Sequence, residues 1–293
     1  MDLSIIIPHR NRKALLEKCL ASIPAAATTL SYEVIVIDNG SKDGSREMIQ
    51  RHFPDFSLLE NEKNEGFSRA TNQGLQVAQG NYLLCINNDT TLSPNSLKQL
   101  VSFMETHPEA GVSGGKIFNP DGSIQPSARA FPRLENALFN RSSFLSQLFP
   151  KNRFSRRYLL SDWNHETVRE VDWISGSFFL IRRALLEKIG LFDERFFLYC
   201  EDVDYCLRAK EAGYHVFYVP EARMIHATRY SERTLDTLFH HHQSMYRFYK
   251  KYHSRHRLWD VVVLGGVTCR FLTGLTFLTG RKLFSRGKNG ASP

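Results

Sequence analysis

Apolar residues come in short unbroken runs that stop at polar clusters, repeatedly, through the first third of the chain. "LSIIIPH" (3–9) closes at Pro8, and "YEVIVIDNGSKDGS" (32–45) passes into Asp38 and a Gly-containing turn. "FSLLENE" (56–62) and "NYLLCINND" (81–89) behave alike, the last ending in Asn87, Asn88 and Asp89. Unbroken apolar runs of this length predict strands buried on both faces of a parallel sheet. Between them "RKALLEKCLASI", "SREMIQRHF" and "GFSRATNQGLQVAQG" carry apolar residues at helical spacing. Strands alternating with helices predict a doubly wound α/β domain. One edge of its sheet, where every strand ends in polar residues, would carry a site, because open α/β sheets bind ligands beyond the carboxyl ends of their strands. Taken alone, "CINNDTT" (85–91) reads equally well as a turn, since Asn and Asp bond their own backbone.

The pattern then loosens. A helix is predicted over "PNSLKQLVSFMETHP", followed by "AGVSGGKIFNPDGSI". Residues 119–168 hold Pro120, Pro126, Pro132 and Pro150 among polar and basic residues, and read as a long loop region with short helices over the substrate site. Order returns with "VDWISGSFFLIRRALLEKIGLFDERFF" (171–197), a strand then a helix. The helix "CEDVDYCLRAKEAG" (200–213), stopped by Gly213, and the strand "YHVFYVP" follow. There is no internal repeat. In "TLDTLFHHHQSMYRFYKKY" three consecutive histidines on a helix point in different directions, so they cannot share one ion and are expected at the surface or against lipid. The segment 258–288 is mostly apolar, then basic. Asp260 and Arg270 interrupt it, so an uncharged spanning stretch is absent, and an amphipathic helix lying in a membrane interface or packed on the domain is expected.

Composition changes this picture little. The 293 residues, 42% hydrophobic and 23% charged, suit one large globular domain or a domain with an appendage. The net charge of +8 invites a polyanionic partner, nucleic acid or an acidic membrane surface. Basic residues thicken in "KNRFSRRY" (151–158) and from Arg247 onward. The five cysteines form no CxxC pair, and "MDLSIIIPHR" is too short for a secretory signal, so free core thiols in a reducing cytosol are expected.

Four polar clusters end consecutive buried runs: Pro8–Asn11, Asp38–Asp43, Asn64–Asn72 and Asn87–Asp89. In this order, with "NEGFSRATNQGLQVAQGNYLLCINNDT", "WISGSFFLIRR", "GLFDERFFLYCEDVDYCLRAKEAGY" and "VPEARMIH", the chain resembles family 2 glycosyltransferases over about residues 3–230. Within them it is most similar to the bacterial rhamnosyltransferase-like branch. The resemblance implies a GT-A fold, a Rossmann-like mixed sheet flanked by helices. Residues 1–230 would form the catalytic domain, with the nucleotide-sugar half at about 1–118 and the acceptor half at about 119–230. Residues 231–293 would be a helical, membrane-associating appendage.

The resemblance also implies roles. Asp38 matches the acid that reads base and ribose, with Pro8, Arg10, Asn11, Asn64, Gly66, Asn72 and Asn88 around the donor. Asn87-Asn88-Asp89 matches the DxD motif, which implies Mg²⁺ or Mn²⁺ on oxygen ligands at the diphosphate. Asn87 replaces the first acid there, so Asp89 must carry the metal contact, with His226 approaching it. Asp202 matches the general base, although Glu201, Asp202 and Asp204 also read as a helix start favoured by its dipole. Inversion needs such a base to take the acceptor hydroxyl's proton. Glu201, Gly176 and Trp173 would meet the acceptor or sugar, Trp173 as a stacking platform or else as a core residue.

The implied activity is inverting transfer of a sugar from a nucleotide-diphosphate donor to a glycan or polyprenyl-diphosphate-linked acceptor. The branch suggests dTDP-rhamnose, with UDP- and GDP-sugars open. The expected location is cytoplasmic, peripheral at the inner face of the plasma membrane. A Rossmann dehydrogenase is excluded, because "IIIPHRNR" has no glycine where a GxGxxG would follow the first strand. A nucleic-acid binder is disfavoured by acids at the strand ends and by the lack of a binding motif. A catalytically inactive sugar- or partner-binding relative is the alternative, opposed by Asp38, Asp89 and Asp202 all being present.

Overall fold

The computed structural model describes residues 1–132, 153–227 and 234–288. Residues 133–152 of the irregular stretch expected over the substrate site, Pro150 and the basic Lys151 among them, therefore lie outside the described residues. The first half alternates as its pattern dictates: β1 (Leu3–His9), α1 (Lys13–Ala26), β2 (Tyr32–Asn39), α2 (Ser45–His52), β3 (Ser57–Asn61), α3 (Phe67–Val77) and β4 (Tyr82–Ile86). Then come β5 (Thr90–Leu92), α4 (Ser96–Thr106), β6 (Ala110–Phe118), β7 (Ile124–Gln125), β8 (Ala128–Arg129) and α5 (Arg153–Leu159). The second block holds β9 (Arg169–Val171), β10 (Trp173–Ile174), β11 (Phe178–Arg182), α6 (Arg183–Ile189), α7 (Glu201–Glu211) and β12 (His215–His226). The single strand expected after residue 171 is thus three short ones. The helices α8 (Leu235–Tyr252) and α9 (Arg257–Lys288) follow.

The sheet runs β3-β2-β1-β4-β11-β6-β12-β5. β1 to β4 are parallel, β11 is antiparallel to both of its neighbours, and β6 and β12 are parallel again. Both faces are covered, which is why the central strands read as unbroken apolar runs. On one face Leu3, Ile5 and Ile7 pack with Leu16, Leu20 and Ile23 of α1 and Leu100 and Met104 of α4. On the other Ile6, Ile35 and Ile37 pack with Ala70 and Leu75 of α3 and with Tyr205, Cys206 and Ala209 of α7. Strand order reverses at β1, whose successors lie on opposite sides of it, and the crevice there opens at His9, Asp38 and Asn87. All five cysteines are free; Cys19, Cys85 and Cys206 are buried.

α8 and α9 form an antiparallel pair. Lys250 binds Asp260 at 2.6 Å, and Gly274 lies against Leu238. The α9 stripe of Asp260, Val263, Val267, Arg270, Phe271 and Gly274 is half-buried, whereas Leu258, Trp259, Val261, Val262, Leu264 and Leu272 are exposed, Trp259 at 62%. Residues Arg257–Thr276 form a helical segment with the length and composition to cross a membrane, and none of it is buried. The charge expected to prevent a span is engaged within the helix pair, since Asp260 also accepts from Ser254.

The histidine run departs from expectation. His240 stacks on Phe197 at 4.2 Å, His241 meets Tyr199 edge-on at 5.3 Å, and His242 is buried with Nδ1 on the Leu238 carbonyl. These side chains pack on protein, because α8 lies along the segment that precedes α7.

Candidate active site

Three strand ends build the first part of the site. His9, the last residue of β1, pairs with Asp38 of β2. Asp38 is fully buried, and its Oδ2 accepts from Arg46 Nε at 2.6 Å and from the Ser41 amide at 3.1 Å. Arg46 is held in turn by the Asn61 carbonyl and Glu60. The second Asp38 oxygen, Oδ1, is buried without a partner among the described residues. A buried carboxylate oxygen left unbonded costs free energy that an incoming N–H or O–H recovers. The Asn11 amide donates to Ser41 Oγ (2.8 Å), its side-chain oxygen accepts from the Lys42 amide (3.0 Å), and Lys13 N–H donates to Asp43 (2.8 Å). These bonds join the turns after β1 and β2 into one rim, beside which Pro8 is half-buried and Arg10 exposed. Asn64 accepts from Asn39 and from the Gly66 amide. Gly66 itself has φ +89°, and a Cβ there would lie 2.7 Å from the Phe197 carbonyl, so only glycine fits. Asn72 departs from its expected place at the donor. Its amide is spent on Phe192 N–H, the Phe192 carbonyl and Glu194, so it anchors the 190s loop.

The motif after β4 forms the second part. Asn88 Nδ2 donates to His9 Nδ1 at 2.7 Å, which leaves its carbonyl oxygen for the crevice. Asp89, 6% exposed, places Oδ2 3.0 Å from Arg12 and Oδ1 3.0 Å from His226 Nε2. His226 Nδ1 lies 2.8 Å from Gln125 Oε1, and Asn87 Nδ2 3.3 Å from Nε2. With Nδ1 on Gln125 Oε1, Nε2 faces a carboxylate oxygen of Asp89, and the two can bond directly or share a cation. Carboxylate and imidazole suit Mg²⁺ or Mn²⁺, and an amide rotation would add the Asn87 oxygen. Among the described residues no group of three or more His, Cys, Asp or Glu could hold an ion. The remaining ligands would have to come from a diphosphate and water, as is usual for Mg²⁺.

The third part is the start of α7. Asp202 Oδ2 accepts from the Gly176 amide at 3.0 Å and Oδ1 from Val203 N–H at 2.9 Å. Burial nevertheless holds its pKa above the usual carboxylate range, against these bonds and the charge of Arg129. Glu201 is raised further, by burial and then by the Asp202 charge, and its Oε2 has no partner. The two carboxyls titrate as a coupled pair, and the amide donors on both Asp202 oxygens favour its ionised form over that of Glu201. A Cβ at Gly176 would stand 3.6 Å from Asp202 Cβ and 3.8 Å from Glu201 Oε1, so this backbone lies directly against both acidic side chains. Asp204 faces away and is bound by Arg208, Lys251 and Tyr252. Trp173 is core: 7% exposed, with its indole N–H on the Ala130 carbonyl and Arg129 over its ring, it offers no open stacking face. His9, Arg12, Arg46 and Gln125 were not singled out in the sequence. His9 and Arg12 stand inside the "PHRNR" cluster that flagged their neighbours, whereas Gln125 carries no local signal.

Residues 4–190 match the family described as Glycosyl transferase family 2. The chain is 33% identical over 252 residues to N-acetylglucosaminyl-diphospho-decaprenol L-rhamnosyltransferase of Mycobacterium tuberculosis, covering 82% of this chain and 81% of that protein. It is 27% identical to the rhamnosyltransferase WbbL of Escherichia coli K12, with 78% and 85% covered. A mannosyltransferase from Pyrobaculum calidifontis, solved with GDP-Man and Mn²⁺, superposes with a TM-score of 0.59 at 18% identity, covering 99% of this chain and 80% of that one. GalNAc-T7, solved with UDP, GalNAc and Mn²⁺, gives 0.59 at 16% identity, over 84% and 47%. These two likenesses concern the fold, which is GT-A.

Proposed function

This chain belongs to glycosyl transferase family 2 and is an inverting glycosyltransferase, and from that premise we propose that it transfers rhamnose from dTDP-rhamnose to a polyprenyl-diphosphate-linked sugar in cell-surface polysaccharide synthesis. The similarity to two rhamnosyltransferases, spread over about four-fifths of all three chains, supports donor and acceptor. The observation that carries the chemistry is the half-buried Asp202 carboxylate, held by the Gly176 and Val203 amides with no side chain at Gly176 beside it. The acceptor hydroxyl sits over Gly176. Asp202 takes its proton as the oxygen attacks the anomeric carbon, opposite the bond to the nucleoside diphosphate, which breaks with inversion. Asp38 Oδ1 receives an N–H of the base or a ribose hydroxyl. Asn88 offers its carbonyl oxygen to the donor, and Arg10 and Asn11 line the same rim. Asp89 and His226, with the Asn87 amide oxygen, would hold Mg²⁺ or Mn²⁺, which when bound offsets charge on the departing diphosphate.

The same reading places the enzyme in the cytoplasm, peripheral at the inner face of the plasma membrane, where lipid-linked acceptors lie. The exposed apolar side chains of α9 support docking. The helix pair favours an interfacial pose over a span. α8 accompanies α9 from Asp260 to Gly274, about 21 Å of helix, and would bring Arg247, Lys250 and Lys251 into the hydrocarbon. The test is transfer from a panel of dTDP-, UDP- and GDP-sugars to a synthetic N-acetylglucosaminyl-diphospho-lipid. Rhamnosyl product from dTDP-rhamnose is expected. Turnover of another donor alone would refute the sugar, and donor binding without any transfer would favour the inactive relative.

A further inference from the structure

The segment from Asp193 to Asp204 carries the residue proposed as base, and it is gripped by a helix that lies outside the matched family region. One face of α8 reads His240, Ser244, Arg247 and Lys251, spaced at four, three and four residues, with His241 and Tyr252 flanking it. Every one of these contacts that segment. His240 stacks on Phe197, and His241 lies edge-on to Tyr199. Ser244 Oγ donates to the Leu198 carbonyl at 2.8 Å, and Arg247 to that of Arg195. Lys251 bonds Asp193 (2.8 Å) and Asp204, and Tyr252 OH bonds Asp204 at 2.7 Å. From the opposite side the donor half holds the same segment, through Phe67 N–H on the Phe197 carbonyl at 2.7 Å and Ser68 Oγ on that of Phe196.

Between the α8 contacts sit Tyr199 and Cys200, with φ of +71° and +70°. Neither is glycine. Side chains in the left-handed region are strained, and such strain persists only where the surroundings over-determine it. Here Ser244 and His241 fix Leu198 and Tyr199 on one side, while Lys251 and Tyr252 fix Asp204 on the other. Asp202 sits inside that bracket.

We propose that α8 is a latch that sets the position of Asp202, with His241, Ser244 and Lys251 as positioning residues for proton removal from the acceptor. The inference rests on the reading of Asp202 as base. The groups facing that carboxylate are Glu201, Cys200 and Cys206 from its own helix and its approach, Arg129 from β8 and the Gly176 and Val203 amides. Loosening the latch admits water to this buried cluster and moves the Asp202 pKa down, toward the ordinary range.

The test uses the full chain, dTDP-rhamnose and a synthetic N-acetylglucosaminyl-diphospho-lipid. Ser244→Ala and His241→Ala should lower kcat by roughly tenfold to a hundredfold, the scale of a misplaced catalytic group. The KM for donor should stay within about twofold and the acid limb of the kcat profile should move to lower pH, because water, not lost donor contact, reaches Asp202. Ser244→Thr, which keeps the hydroxyl, should recover most of the rate. Amide exchange at residues 198–203 should rise while that of β1 and β4 stays fixed, a readout that needs no substrate. Lys251→Met removes a buried ion-pair partner and is read only beside Lys251→Arg. Wild-type kcat and exchange in Ser244→Ala and His241→Ala would overturn the latch, as would a loss explained by a fallen Tm with an unmoved pH limb. Asp202→Asn in the same assay separates the two claims: wild-type turnover there refutes the base, whereas an inactive Asp202→Asn beside fully active latch variants refutes the latch alone.

Discussion

The two acidic sites of this enzyme are built on opposite electrostatic plans. At the strand ends, each carboxylate touches a cation or a potential one: Arg46 on Asp38, Arg12 and His226 on Asp89. At the start of α7, backbone amides and burial define Asp202, with the charge of Arg129 acting on it, and burial raises the pKa values of both Glu201 and Asp202. Cationic partners hold the strand-end carboxylates in place, which suits a site for a donor and its counter-ion. Burial that destabilises the charged form raises a carboxyl's pKa, which suits proton transfer. On the proposed reading, one chain makes binding acids and a reacting acid from the same side chain by choosing their neighbours. The third acid of α7, Asp204, has Arg208, Lys251 and Tyr252 and does neither; it fastens α8.

The sharpest way to break this comparison is at the strand ends. EDTA should abolish transfer, and Mg²⁺ or Mn²⁺ should restore it. Asp89→Ala should remove most activity while leaving the unfolding transition cooperative, as followed by circular dichroism. Full activity in chelator would mean that the Asp89–His226 pair serves only as an ion pair. At α7 the expected loss is smaller but confined to chemistry. Asp202→Asn should depress kcat by roughly 10²–10⁴-fold with donor affinity near normal, the usual range for a lost general base. Calorimetric titration with dTDP-rhamnose, run beside rate measurements, separates the two.

The acid limb of kcat tests the burial argument directly. Asp202 must be ionised to accept a proton, and its pKa is raised. Activity should therefore fall away as pH drops through a value above the ordinary carboxylate range, near 4. Glu201→Gln should be milder on turnover. The sign of its stability effect follows from linkage: a carboxyl whose folded pKa lies above its unfolded one contributes stability below the unfolded pKa and loses it as pH rises. The variant's Tm relative to wild type should accordingly improve from pH 5 to pH 8, and a Tm difference independent of pH would contradict a raised Glu201. Asp38→Asn belongs between these effects. It should weaken donor binding by roughly tenfold to a hundredfold, the scale of a charge-assisted hydrogen bond, with kcat at saturating donor little changed.

The strand-end site was the legible one. β1, β2 and β4 are buried on both faces, so their apolar runs announce them, and polar residues must stand where the runs stop. β6 was not called, though it is central. Its Gly114 and Gly115 leave room for backbone, since Cβ atoms there would lie 2.5 Å from the Phe178 carbonyl and 2.2 Å from that of Ala222. A strand built for close approach lacks the branched residues that mark strands. The Gly176–Asp202 site joins residues 26 positions apart through one amide, and only resemblance connected them beforehand. Gln125 reaches His226 from 101 positions away, a pairing that no local pattern encodes. Helical geometry argues against a shared ion for the histidine run, but its neighbours, Phe197 and Tyr199, depend on how α8 docks.

The smallest effect on the chemistry itself, and the last prediction, concerns α9. Truncation after Tyr252 keeps Ser244, Lys251 and Tyr252, and with them the grip of α8 on Asp204. It removes Leu258, Trp259, Val261, Val262, Leu264 and Leu272, whose exposed surface has no protein to cover it among the described residues. Basic residues beside an anionic leaflet contribute about 1 kcal/mol each, and Arg270, Arg281, Lys282, Arg286 and Lys288 leave with the helix. Both terms favour the membrane in the full chain, and the basic one weakens with salt. The truncated enzyme should therefore be more soluble, bind dTDP-rhamnose as before, and turn over a short soluble acceptor at close to the full-length rate. Its loss should appear with the long-chain lipid acceptor in anionic vesicles, where co-sedimentation of the full chain should fall with salt and with the truncation. Should the full chain ignore such vesicles and the truncation unfold the domain, α9 is a structural helix, and the contrast between a gripping α8 and a membrane-seeking α9 collapses into one packed pair.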